Sequence, residues 1–239
     1  MKKLYDKDEV WFAVLWIILY VLGFGNGDSL SEAIGFPKLL TVIVGLLFSA
    51  ILFLFVKRNV LFRHVGLCRI TGEYKKYGYF IPLILISCVN LWHGFAVNTD
   101  LSECILFAIS MCFVGFLEEL IFRGFLFQGM LKTNATAAIL VSSLTFGFGH
   151  IVNLLLGADL FETLLQLVYA SAIGFCYTVV FYTSGSIVPC IVSHIFVNVT
   201  SVFAAEPTNT VNIILTVVQT VLGVGYGLWL LRQKKTKEP

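Results

Sequence analysis

Apolar residues run through most of this chain in long unbroken stretches, and polar residues collect in the short segments between them. Taking ~20 residues per membrane-spanning helix, about eight stretches are long enough to span: residues 10–24, 36–56, 77–95, 101–131, 133–156, 161–182, 186–204 and 211–231. Pro37 sits well in the first turn of the second, where its missing N–H leaves no helical bond unmade. The expected fold is all-α, a polytopic membrane helical bundle of about eight transmembrane helices around a central polar cavity. Along the chain, residues 1–100 hold the first spans and a basic loop. Residues 101–205 hold the polar residues that fall inside spans, and residues 206–239 hold the last span and a basic tail.

Composition supports this class. Hydrophobic residues make up 58% of the chain, charged residues only 13%, and the mean hydropathy is +0.91. A soluble domain is about one quarter charged. A net charge of +2 is too small to suggest nucleic acid as a partner, so the expected surroundings are a lipid bilayer. Cys68, Cys88, Cys104, Cys112, Cys176 and Cys190 include no CxxC pair, which removes the usual thiolate zinc spacing and leaves them as small buried residues. Near the N-terminus, acidic residues interrupt the lysines and no small-residue cleavage site follows, so an uncleaved first span is expected.

The basic residues set an orientation. Lys2, Lys3 and Lys7 precede the first span, Lys57, Arg58, Arg63, Arg69, Lys75 and Lys76 crowd the second connection, Lys132 lies after the fourth span, and Arg232, Lys234, Lys235 and Lys237 follow the last. The alternate connections carry Asp28, Glu32, Asp100, Asp159 and Glu206, with Lys38 as their basic residue. By the positive-inside rule both termini are expected in the cytoplasm. The basic segment 60–79 reads either as a solvated loop or as a helix lying on the inner leaflet.

Few strongly polar side chains remain inside the spans. The fourth carries Glu118, Glu119 and Arg123, the fifth His150, the seventh His194 and Asn198. A charge at the centre of a membrane helix costs at least about 2.5–3.5 kcal/mol, so such residues face protein or a wet cavity. Each lies near the middle of its stretch, so all are expected to meet at one depth. Residues four apart share a helix face. Glu119 and Arg123 can therefore pair, His194 and Asn198 point one way, and Glu118, about 100° round from Glu119, is left for chemistry. A carboxylate and an imidazole sharing a water in a low-dielectric cavity form a general-base pair, while a second imidazole and an amide can donate to a developing oxyanion. These parts describe hydrolysis of an amide by water. Ser193, beside His194, is a weaker candidate for a nucleophile. Gly115, Gly124, Gly147 and Gly149 read as close-packing positions between helices, the last two also as points where a helix could deform. His64 and His93 lie in or near loops and receive no role.

Three motifs carry a resemblance. Glu118-Glu119-Leu-Ile-Phe-Arg123 matches EExxxR, Phe146-Gly-Phe-Gly-His150 matches FxxxH, and His194 is followed by Asn198 four residues later. In this order on successive apolar stretches they resemble the CPBP family, also called Abi, of CAAX prenyl endopeptidase-like and bacteriocin-processing membrane proteases. The resemblance covers about residues 115–200. It implies a glutamate-type intramembrane endopeptidase acting on a membrane-associated peptide or protein. Glu118 and His150 would activate water, His194 and Asn198 would form the oxyanion site, and Glu119, Arg123 and Phe146 would support the cavity. The expectation is no metal or other cofactor. If zinc were bound, its ligands would be Glu118, His150 and His194, although the HExxH arrangement is absent. Without soluble extensions the chain looks like a bacterial member, which points to the bacterial plasma membrane and to a substrate such as a bacteriocin leader; CAAX-type processing, which requires prenylated proteins, stays open. Two other classes remain open from sequence: a non-catalytic immunity or scaffold protein, and a proton-coupled transporter built on the same Glu and His residues. No inverted repeat supports transport.

Overall fold

The computed structural model describes residues 1–70, 80–97 and 99–235. Its elements are helical: α1 (Lys2–Lys7), α2 (Glu9–Ala33), α3 (Leu39–Arg58), α4 (Ile81–Ser87), α5 (Leu101–Glu118), a π-helical segment (Glu119–Phe127), α6 (Gln128–Leu131), α7 (Ala135–Gly149), α8 (Val152–Leu155), α9 (Leu160–Ser184), α10 (Val188–Ser201) and α11 (Asn209–Lys235). A 3-10 turn, Val89–Leu91, follows α4. Starts and stops follow local chemistry. Asp8, Asn134 and Asp159 cap α2, α7 and α9 by accepting from backbone N–H groups. Gly185, in the left-handed region at φ 70°, ends α9.

The all-helical reading holds, and the exact count of eight spans is not confirmed. Among the described residues six helices are long and apolar enough to cross a membrane: Glu9–Ala33, Leu39–Arg58, Leu101–Leu131, Ala135–Leu155, Leu160–Ser184 and Asn209–Lys234. The stretch expected over 77–95 yields α4, 7 residues long, and then the 3-10 turn. Residues 77–79 of it lie outside the described residues. Its later part turns back because Asn90 donates to the Val197 carbonyl and Gly94, at φ 120°, redirects the chain. The stretch expected over 186–204 gives α10, with 14 residues. At 1.5 Å per residue that is about 21 Å, short of a hydrocarbon core of ~30 Å. The two short helices pack together, with the Ser87 and Ser193 hydroxyls 2.7 Å apart.

The basic segment after α3 forms turns over residues 60–70 and no helix; residues 71–79 lie outside the described residues. This loop tucks under the bundle. Val65 is fully buried, the Gly66 carbonyl accepts from Ile187 N–H, and the Cys68 carbonyl accepts from the Ser186 hydroxyl. Gly66 is required there: its φ is 76°, and a Cβ would collide with the Phe181 ring.

The helices alternate in direction, which gives the bundle two distinct ends. Lys132 reaches Glu9 at 2.6 Å, Lys234 donates to the Tyr182 carbonyl, and Ser186 meets Cys68, so the start of α2 and the ends of α6, α9 and α11 share one end. At the other end Lys38 pairs with Asp28 at 2.9 Å, and the 94–96 strand-like stretch bonds to 203–205. The long helices that alternate between these ends are the scaffold of an integral membrane protein.

Candidate functional site

Midway along the bundle α5 changes its winding. From Glu119 to Phe127 the backbone is π-helical, and every residue of that segment is buried. A π-helical turn advances its side chains differently from an α-helix and is frequent at functional sites. It begins between the two glutamates, which separates their surroundings.

Glu119 is fully buried. Its Oε1 accepts from Arg123 Nη1 at 3.0 Å, as the four-residue spacing leads one to expect. The same oxygen lies 2.9 Å from His194 Nδ1. Arg123, also fully buried, donates through Nη2 to the Gly174 carbonyl at 3.1 Å and stacks on the Phe146 ring with its guanidinium carbon 4.2 Å from the ring centre. Phe146 thus supports Arg123 directly, and its edge also meets His150 and His194, with ring centres 5.6 and 5.7 Å away. The pairing of Glu119 with Arg123 is present, yet it is not closed on itself: Glu119 also orients an imidazole on α10.

Glu118 has different neighbours. Its Oε1 accepts from the Tyr20 hydroxyl at 2.6 Å, and its Oε2 lies 3.5 Å from His194 Nε2. Oε2 is buried and makes no hydrogen bond among the described residues. His194 therefore stands between the two carboxylates, one nitrogen toward each. Its position is fixed from behind by α9 and α4, since the adjacent Ser193 hydroxyl bonds both Tyr177 at 2.8 Å and Ser87. Ser193 is thereby committed to packing and faces away from Glu118.

His150 is not mid-helix. It is the residue that closes α7, with its N–H on the Gly147 carbonyl, and the chain then bends into α8. The structure brings Glu118, His150, His194 and Asn198 to the lining of one cavity of about 110 Å³, with Phe146 as a wall. Gln166 on α9 and Gln219 on α11 also line it. A second cavity, of about 170 Å³, begins at Glu118, Phe146 and His150 and passes Tyr20. Among the described residues no set of three or more His, Cys, Asp or Glu side chains is arranged to hold a metal ion, and Glu118, His150 and His194 do not form one.

Sequence reasoning missed Tyr20 and the two glutamines. Each is a polar side chain inside an apolar stretch, which is the only signal that could have marked it. The four glycines divide. A Cβ on Gly115 would press on Ile195, on Gly124 on Val65, and on Gly147 on the backbone of Ser171, whereas one on Gly149 would meet open space.

Fold and site together define a class: an integral membrane protein with a carboxylate–imidazole centre at mid-depth. Residues 100–200 match the family model Rce1-like, type II CAAX prenyl endopeptidase Rce1-like. Over that stretch the chain is similar to this CAAX protease family, in agreement with the resemblance to the CPBP family. No curated protein and no solved structure matches the chain. Tyr20 lies outside the matched residues.

Proposed function

We propose that the chain is an intramembrane endopeptidase in which Glu118 is the general base. The observation that carries this reading is the shared cavity lined by Glu118, His150, His194 and Asn198. Glu118 Oε2 takes a proton from a water held between it and His150 as the water oxygen forms a bond to the scissile carbonyl carbon. The carbonyl oxygen becomes an oxyanion. Asn198 donates to it through its amide. His194 holds Nδ1 toward Glu119, so Nε2 faces the cavity and, with the ring in its imidazolium form, donates as well. The tetrahedral intermediate then expels the amine, which takes the proton from Glu118, leaving a carboxylic acid and an amine. No step requires a metal.

Tyr20 anchors one oxygen of Glu118 and leaves the other for water. Glu119 and Arg123 hold the His194 ring, which makes them positioning residues. The substrate class is a membrane-associated peptide or protein, with a leader-type peptide as the first choice.

The test is cleavage of membrane-anchored peptides by the purified chain in proteoliposomes. Wild type cleaves, and Glu118→Ala and His150→Ala each lose activity by about 10²-fold or more, the range for a positioned acid–base group. Full activity in both variants would overturn the mechanism. Partner binding kept by both variants, with no cleavage by wild type, would instead indicate a scaffold.

A further inference from the structure

The site has a direction. The second cavity has its floor at mid-depth, where Ile17, Phe122 and Phe146 lie just below Glu118, His150 and Tyr20, and the rest of its lining lies between that level and one end of the bundle. On α2 it runs from Ile17 to Asp28, toward the helix end at Ala33. On α3 it touches Lys38 and Thr41, at the helix start. Beyond α7 it follows Asn153 and Leu156 into the connection that leads to α9. Its walls are α2 on one side and α7–α8 on the other, and Leu156 at the rim is 53% exposed.

The opposite direction is closed. From Glu119 to Phe127 every residue is buried, and Phe12, Phe55, Phe125 and Phe127 fill the space between the site and the end that carries Lys2, Lys3, Lys57, Arg58 and Lys132. The end toward which the cavity runs carries Asp28, Glu32, Asp100, Asp159 and Glu206 in its connections, with Lys38 already paired to Asp28. Basic connections mark the cytoplasmic side. The cavity therefore opens away from the cytoplasm. A polar lining of Asp28, Lys38, Thr41 and Asn153 suits water and peptide backbone, and the gap between α2 and α7 admits a chain held in the bilayer.

We infer that the Glu118–His150 centre is reached from the non-cytoplasmic face through the vestibule between α2 and α7, so that its substrate is a peptide segment exposed on, or anchored in, the outer leaflet after export. The route does not depend on the chemistry. Only the nature of what travels along it rests on the endopeptidase reading.

Gly149 provides the probe. It adjoins His150, lines the vestibule, and has open space where a Cβ would stand, so Gly149→Cys fits. Lys3→Cys, exposed at the basic end, is the reference. Intact cells expressing the full chain are treated with a membrane-impermeant maleimide, and labelling is counted above that of wild type, which has cysteines of its own. Gly149→Cys is expected to label in intact cells as fully as after permeabilisation, and Lys3→Cys only after permeabilisation. The reverse pattern would overturn the orientation. Absence of labelling at Gly149→Cys even after permeabilisation would overturn the vestibule. Since the readout is alkylation, loss of the proposed catalytic role would leave it unchanged.

Discussion

Toward the basic end of the bundle Phe12 stacks on Phe55 with ring centres 5.0 Å apart, Phe125 meets Phe12 edge-on at 5.1 Å, and Phe127 packs on Phe181. Toward the acidic end the helices leave two cavities whose largely apolar walls carry several polar side chains. The two halves are built from one apolar alphabet, and hydropathy does not distinguish them. What differs is the company of a few polar groups at the boundary. A membrane interior offers no water, so a carboxylate there must be answered by protein. Glu119, fully buried, is answered by a charge: Arg123 and His194 both meet its Oε1, while its Oε2 makes no hydrogen bond among the described residues. Glu118 is answered by a neutral phenol: Tyr20 donates to its Oε1, its Oε2 lies 3.5 Å from His194 Nε2 without a hydrogen bond, and the residue lines both cavities.

The largest effect is expected on activity: Glu118→Gln keeps the shape and removes the base, so cleavage in proteoliposomes falls by about 10²-fold or more while thermal unfolding in detergent changes little. On the closed side Arg123→Ala leaves Glu119 buried and uncompensated and destabilises the protein by about 3–5 kcal/mol, read as a fall in Tm. An unchanged Tm would mean that Glu119 is not ionised there. Two glycines sharpen the contrast further. Gly147→Ala drives a Cβ into the Ser171 backbone at 2.7 Å from its nitrogen and is expected to destabilise by about 1–3 kcal/mol. Gly149→Ala, two residues on and facing the vestibule, is expected to be neutral or to stabilise by up to about 1 kcal/mol, since alanine forms helix better than glycine. Equal effects at both would contradict the close approach of α9 at Gly147 and the open space at Gly149. On activity, a smaller effect than that of Glu118→Gln is expected for Tyr20→Phe, which removes one hydrogen bond to a charged group, worth about 1.5–3 kcal/mol. Cleavage should fall by roughly tenfold or more through kcat, with partial activity kept, and an effect confined to KM would show that Tyr20 touches substrate instead.

Much of this was legible in the sequence. The apolar stretches became helices, and the three motifs were brought to one cavity, because intramembrane polar residues have few places to go other than toward each other. The lengths of α4 and α10 were not legible, since an apolar run does not reveal where Asn90 and Gly94 turn the chain back. The π-helical segment was hidden because Glu-Leu-Ile-Phe-Arg reads as ordinary helix; its winding is set by what packs around it. Tyr20 was hidden by distance, 98 residues before its partner, in a stretch where a tyrosine could equally meet lipid. Gly147 and Gly149 look alike in sequence, and only the course of α9 beside the first separates them.

The central claim is that Glu118 supports peptide-bond hydrolysis inside the membrane. Its most direct test is mass spectrometry of peptide termini in membranes of cells expressing wild type or Glu118→Gln. New termini are expected with wild type and are expected to vanish with Glu118→Gln, whose uncut substrate is recovered bound to the variant. The same termini in both membranes would contradict it.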